Sequence, residues 1–176
     1  AAFVTEMNNL ARSLRMAKTR FTAPHGLDAG SSVSTSCALD MALLGVYSMQ
    51  NPAFCYIVSQ ASRRIEVQSQ TKGRTMYDIS NNNKLMSSPG VDGIKAGTSR
   101  AAGPCLLLSV TRNAISRRSP QTGTEVIYPQ RMIIVVLGSA NRYPLAKQMM
   151  TTGWRVWENW QASGMDMKDP KEFVQL

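Results

Sequence analysis

Histidine is almost missing from this sequence and cysteine is scarce. One histidine, His25, and three cysteines, Cys37, Cys55 and Cys105, are spread over 176 residues. None of the cysteines stands in a C-x-x-C pair, and no spacing suits a zinc site, so neither metal nor other cofactor is expected. An odd number leaves at least one free thiol. Cys105 in an apolar strand and Cys37 in a helical stretch read as small buried side chains. Long apolar runs are missing too. The longest, CLLLSV (105–110) and MIIVVLG (132–138), have the length of strands and are far too short to cross a bilayer, so membrane contact is not encoded here. Acidic residues are few: 11 against 20 lysines and arginines, for a net charge of +9 and a pI of about 9.9. A basic chain can serve nucleic acid, but these charges are dispersed over Arg12, Arg15, Lys18 and Arg20, then Arg63 and Arg64, then Arg112, Arg117 and Arg118. No basic helix face or RNA-binding motif emerges, and no nucleic-acid partner is expected. An initiating methionine and a signal sequence are also absent. The chain enters an amphipathic pattern at once, as if cut from something longer.

What is present suffices for one core, with 43% hydrophobic residues. Phe3, Met7, Leu10 and Leu14 recur at helical spacing and predict a helix over 2–16. Pro24, Gly26 and Gly30 mark a loop. Ser34 to Ser36 offer capping hydroxyls, and Asp40 suits the positive end of the buried helix ALDMALLGVYSM. Asn51-Pro52 reads as a cap followed by proline at the first helical position, opening a short helix to about Val58. From Arg64 the period changes to two: RIEVQSQ alternates as a half-buried strand. SNNNKLMSSPG is loop, GVDGIKAG a glycine-flanked strand, and CLLLSVTR and RMIIVVLGS strong strands. The segment 113–130 between them is too long for a tight turn and too polar for core, which predicts an exposed, partly mobile insertion. Leu145, Met149, Val156, Trp157 and Trp160 mark a terminal amphipathic helix, its tryptophans packed on the sheet, and the tail looks loose. Helices, then strands, then a closing helix predict an α+β fold, an antiparallel sheet flanked by helices.

The stretch VDGIKAGTSRAAG carries the chemistry. Lys95 and Gly97 share one face of an alternating strand. The ammonium can hold a carboxylate, and the bare glycine lets a peptide backbone lie against the strand and pair with it. Backbone amides just past the glycine can face a developing oxyanion, and Thr98 and Ser99 add hydroxyls. The plainer alternative is a surface strand with a snorkelling lysine and a turn after it. Asp92, three positions from Lys95, should face the other side and serve a turn.

The neighbourhood of this strand adds to these readings. FVTEMNNLARSLRMAKTRFTAPHGLD, STSCALDMALLG, NNNKLMSSPGVDGIKAGTSRAAGPCLLLSVTR and IIVVLGSANR follow in this order. The series resembles the D-alanyl-D-alanine carboxypeptidases, low-molecular-weight penicillin-binding proteins of the serine DD-peptidase class. The likeness covers most of the chain apart from 113–130 and the tail. It implies a partial DD-peptidase domain over 1–162, incomplete at its N-terminal side, and a tail over 163–176. It also implies a mechanism: the serine of a Ser-x-x-K motif attacks the peptide carbonyl, a lysine takes its proton, a Ser-x-Asn motif assists, and a Lys-Thr-Gly strand binds the substrate's terminal carboxylate. Only the third motif is here, as Lys95-Ala96-Gly97. In the family order the other two precede Ala1, so no catalytic nucleophile is expected in this chain. SQTK (69–72) fits Ser-x-x-K by pattern but lies on a strand or its turn, and SNN (80–82) is refused likewise.

The implied substrate-binding residues are therefore Lys95, Gly97, Thr98, Ser99 and Asn82. The last stands where relatives often carry an arginine. Ala96 in place of threonine removes a hydroxyl expected to donate to the carboxylate, a loss of about 1.5–3 kcal/mol. His25, in the PHGLD loop, is expected to be hydrogen-bonded or half exposed and to take no part in chemistry. The implied partners are peptidoglycan stem peptides, β-lactams and the missing N-terminal segment of the same protein. The implied location is extracytoplasmic, in the periplasm or at the outer face of the bacterial cytoplasmic membrane. A non-catalytic relative that binds peptidoglycan or a partner through the same groove is the alternative.

Overall fold

A computed structural model describes residues 2–27, 33–71, 73–118 and 123–164, with backbone alone at Arg117 and Val126. Helix α1 (Ala2–Ser13) turns Leu10 of the expected stripe inward and buries Ala11, while Phe3 at the start of the stripe is exposed. It stops short of residue 16 because Arg15 takes a left-handed backbone (φ 56°). Helix α2 (Ala38–Ser48) starts at Cys37, without a side-chain cap. The serines expected to cap it lie too early: Thr35 pairs with Arg20, and the Ser36 hydroxyl is 2.8 Å from that of Thr19. Asp40 supplies the anchor instead. It is buried, and accepts from the Lys18 amide at 2.8 Å and the Thr19 hydroxyl at 2.7 Å. Helix α3 (Pro52–Val58) is capped as expected, with Asn51 Oδ1 accepting from Ala53 N at 2.9 Å and Phe54 N at 3.2 Å.

Strands β1 (Ser62–Ser69) and β2 (Gly73–Ser80) form an antiparallel ribbon of their own. Strands β3 (Val91–Ser99), β4 (Gly103–Arg118) and β5 (Glu125–Val136) form an antiparallel meander in that order, and helix α4 (Arg142–Ala162) closes the chain. The segment expected as an exposed insertion is largely strand. β4 and β5 continue their pairing to Arg118↔Glu125, past a bulge between Arg112 and Ile115. Backbone hydrogen bonding holds this ribbon where burial does not, and residues 119–122 lie outside the described ones. So do residues 165–176 of the expected loose tail.

The meander has helices on both faces. On one, Ala96, Leu106, Leu108, Val110, Ile134 and Val136 pack against Ala146 and Trp154 of α4. Trp154 is buried and Trp157 packs against the same cluster, so these two tryptophans belong to the core, while Trp160 stacks on Trp157 with ring centroids 4.9 Å apart. On the other face α2 approaches through Gly45. A Cβ there would stand 3.0 Å from Ile133 Cγ2 and 3.2 Å from Leu107 Cδ1, so glycine sets the helix–sheet distance. All three cysteines are free and only half buried, less enclosed than their sequence context suggests. Among the described residues no helix is long and apolar enough to cross a membrane.

Candidate active-site strand

β3 is an edge strand, so its outer row of backbone N–H and C=O groups has no strand partner. Along it Ile94 and Ala96 are buried while Lys95 and Gly97 are exposed, which places the last two on one open face as expected. Lys95 Nζ folds back to donate to the Ala96 carbonyl. A Cβ placed on Gly97 would meet Nζ at 3.9 Å and nothing else within 4 Å. The ammonium therefore stands beside bare backbone, with room for another chain. Ala96 points the other way. Its methyl is 3% exposed and belongs to the core cluster with Leu106. The side chain at 96 fills the core beneath the strand, so the expected penalty for a missing cleft hydroxyl does not follow from this geometry.

The other residues expected here divide into two groups. Thr98 is exposed, and its hydroxyl accepts a hydrogen bond from Arg142 Nη1 at 2.9 Å. The same nitrogen donates to the Gly97 carbonyl at 2.6 Å and the Cys105 carbonyl at 3.3 Å. Since the Thr98 oxygen is accepting, its own proton is left to point elsewhere. Ser99 turns inward to the chain: its Oγ accepts from Ala102 N at 3.1 Å and shapes the β3–β4 turn. Asn82 is exposed on the loop before β3, and its carbonyl accepts from Tyr143 OH at 3.1 Å. Behind it Asn81 Nδ2 donates to the Val58 and Gln60 carbonyls, both at 3.3 Å, and buried Asn83 accepts from Leu85 N at 3.0 Å.

Arg142 and Tyr143 are the residues that sequence reasoning missed. Consecutive at the start of α4, they tie the Asn82 loop and the Gly97–Thr98 backbone to one helix end. The Arg142 guanidinium also lies 5.0 Å from the Tyr143 ring centroid. Lys95, Arg142 and the positive N-terminal end of α4 make this edge suited to an anion. Cys105 is the cross-strand partner of Gly97, with its Sγ accepting from Gly138 N at 3.5 Å.

The remaining candidates are elsewhere. Exposed His25 accepts from Leu27 N at 3.0 Å within its own loop. Ser69 ends β1 at the β1–β2 turn, opposite Gly73, as the refusal of SQTK anticipated; Lys72 lies outside the described residues. No cluster of three or more histidine, cysteine or acidic side chains suits a metal among the described residues. Asp92 neither serves a turn nor faces away from Lys95. It binds Arg131 across the sheet, because a bulge interrupts the alternation on which the expectation relied.

Comparison with known proteins bears on the family and the fold. Residues 1–119 match the family described as D-alanyl-D-alanine carboxypeptidase. The chain is 30% identical over 162 residues to the D-alanyl-D-alanine carboxypeptidase DacC of Escherichia coli, covering 89% of this chain and 34% of that protein. Among solved structures it resembles a variant of a Streptomyces DD-transpeptidase (TM-score 0.69, 25% identity, 87% of this chain and 54% of that one). It also resembles penicillin-binding protein D2 of Listeria monocytogenes in its cefotaxime-bound form (TM-score 0.60, 28% identity, 86% and 55%). The chain thus spans about a third of the curated relative and about half of these structures.

Proposed function

The chain belongs to the D-alanyl-D-alanine carboxypeptidase family, and from that premise we propose that β3 is the substrate-carboxylate wall of a serine DD-peptidase acting on peptidoglycan stem peptides. The observation that carries this reading is the open, unpaired edge at Lys95 and Gly97, braced by Arg142. A stem peptide ending in D-alanyl-D-alanine lies antiparallel or parallel along the free edge, bonding to backbone groups near Gly97. Lys95 neutralises its terminal carboxylate, and the Thr98 amide faces the scissile carbonyl oxygen, while the Thr98 hydroxyl, on the Ala96 side of the strand, holds Arg142. Arg142 holds this backbone still, and Asn82 and Ser99 frame the two ends through the loop and the turn.

The nucleophilic serine and its lysine belong to family motifs that precede these residues, so domain 1–162 is one side of an acyl-transfer cleft. The serine Oγ attacks the carbonyl between the two alanines, the terminal D-alanine leaves with a proton, and water releases the acyl group. A β-lactam presents its own carboxylate to Lys95 and acylates the same serine. Such chemistry belongs outside the cytoplasm, at the outer face of the bacterial cytoplasmic membrane.

The test uses the complete protein with a stem-like peptide and its C-terminal amide. Lys95→Ala is expected to lower kcat/KM for the free acid by roughly 10- to 150-fold, the equivalent of about 1.5–3 kcal/mol for a charged hydrogen bond, and to leave the amide nearly unchanged. Equal losses on both peptides would refute the carboxylate role. Failure of the unaltered protein to be labelled by a fluorescent penicillin would refute the peptidase.

A further inference from the structure

β3 changes faces at one point. Val91 pairs with Val110 and Gly93 with Ser109, so two residues of β3 are set against one of β4, and Asp92 is the extra one. Val91 is buried on the α4 side with Val110. Strict alternation from Val91 would carry Lys95, four positions on, to that same buried side. The inserted residue reverses the parity. Ala96 enters the α4-side core beside Leu106, its cross-strand partner, while Lys95 and Gly97, paired with Leu107 and Cys105, come out on the other side. A one-residue shift flips every later side chain, and bulges beside binding sites re-aim them in this way.

Charge pins the bulge. Arg131 of β5 reaches across β4, with Nη1 2.8 Å from Asp92 Oδ2 and 2.5 Å from Ser109 Oγ. Ser109 is fully buried and is the cross-strand partner of Gly93, the residue after the bulge. One guanidinium thus ties all three strands at the level where the parity changes. The Arg131 and Asp92 side chains are only 31% and 25% exposed, which limits screening by salt. Asp92 Oδ1 is buried with no hydrogen-bond partner among the described residues, so the carboxylate depends on Arg131.

We propose that Asp92 and Arg131, bonded directly and tied to β4 by the Arg131–Ser109 bond, lock the β3 bulge and thereby aim Lys95 into the cleft. They are positioning residues, and their functional consequence rests on Lys95 being the carboxylate ligand as described above. Amide hydrogen exchange on this chain tests the lock by itself. Arg131→Gln is expected to speed exchange at Ile94 to Gly97 by at least about tenfold, with Ile133 to Val135 and the centre of α4 changed by no more than about twofold. Arg131→Lys, which keeps a cation near Asp92, should stay within about threefold of the unaltered chain. Acceleration spread evenly over all these amides, or equal in the lysine and glutamine variants, overturns the lock.

The complete protein then tests the aiming. Arg131→Gln should shrink the preference for the free-acid peptide over its amide by about tenfold in kcat/KM, a ratio that a uniform loss of folded enzyme does not move. An unchanged ratio beside a loosened strand overturns the positioning role. If the unaltered protein shows no such preference, the Lys95 assignment has failed, and the exchange result still decides the lock.

Discussion

Thr98 and Asp40 show how much depends on which partner a single oxygen has. The Thr98 hydroxyl accepts from Arg142 and so has one proton to give away. Thr98→Val keeps the shape and removes both that proton and the oxygen that accepts from Arg142. It is expected to weaken the free-acid peptide by about 0.5–1.5 kcal/mol, read as a rise in KM for the complete protein, with thermal stability little changed. Burial by itself raises the Asp40 carboxyl, but hydrogen bonds from the Thr19 hydroxyl, the Lys18 amide and the Cys37 thiol outweigh it and hold the group below its usual value of 3.8. The unfolded chain therefore binds this proton more readily. Asp40 adds stability above its unfolded pKa, and the contribution fades as pH falls below 3.8 through the lower folded value. Urea midpoints measured between pH 6 and about pH 2 should fall more steeply at the acid end in the parent chain than in Asp40→Asn. The shared exposed face of Lys95 and Gly97 was legible in the sequence because strand alternation sets them two apart. Arg142 was not, because its target lies 45 positions upstream and no local pattern marks that reach.

At the scale of elements, legibility followed burial. Helices α1, α2 and α4 and the inner parts of β3, β4 and β5 have a core side and an apolar pattern that announced them, while α3, with no buried residue, was announced by its Asn51-Pro52 cap. β2 and the outer halves of β4 and β5 belong to two-stranded ribbons with most side chains exposed, so hydrophobic pattern had nothing to report there. The bulge at Asp92 escaped for another reason. Alternation arguments assume an unbroken strand, and the single inserted residue carries no compositional mark. Entry into β3 depends on Gly90, which has φ +77° and whose carbonyl accepts from Thr111 N at 2.8 Å. A Cβ on Gly90 would stand 2.2 Å from the Thr111 carbonyl oxygen. Gly90→Ala should cost more than the about 1–2 kcal/mol of a left-handed alanine alone, seen as a lowered thermal midpoint and weaker exchange protection in β3.

As a whole molecule the chain exposes large apolar side chains on several of its elements. Leu39 on α2 is 63% exposed, Ile57 on α3 64%, Ile79 on the β1–β2 ribbon 50% and Ile127 on the β4–β5 ribbon 71%. The outer edges of β3 and β5 are both unpaired in the meander. Side chains and edges of this kind seek cover. Sedimentation of the isolated chain at micromolar concentration should show species heavier than 19.3 kDa, and a monomer at every concentration would refute this. The family and the α+β architecture were readable at this scale because long ordered motifs survive distant relationship. That some face would lie bare was readable with the family, but which residues line it was not, since an apolar residue in a sequence does not state whether its own chain covers it.

The Asp92–Arg131 pair also differs from the turn beside it in the length of chain it closes. Ser99 and Gly103 close the β3–β4 turn across four positions. Arg131 follows Asp92 by 39 positions. The bond that secures the far end of β3 therefore closes a much longer loop, at a chain-entropy cost about 2 kcal/mol greater than that of the turn.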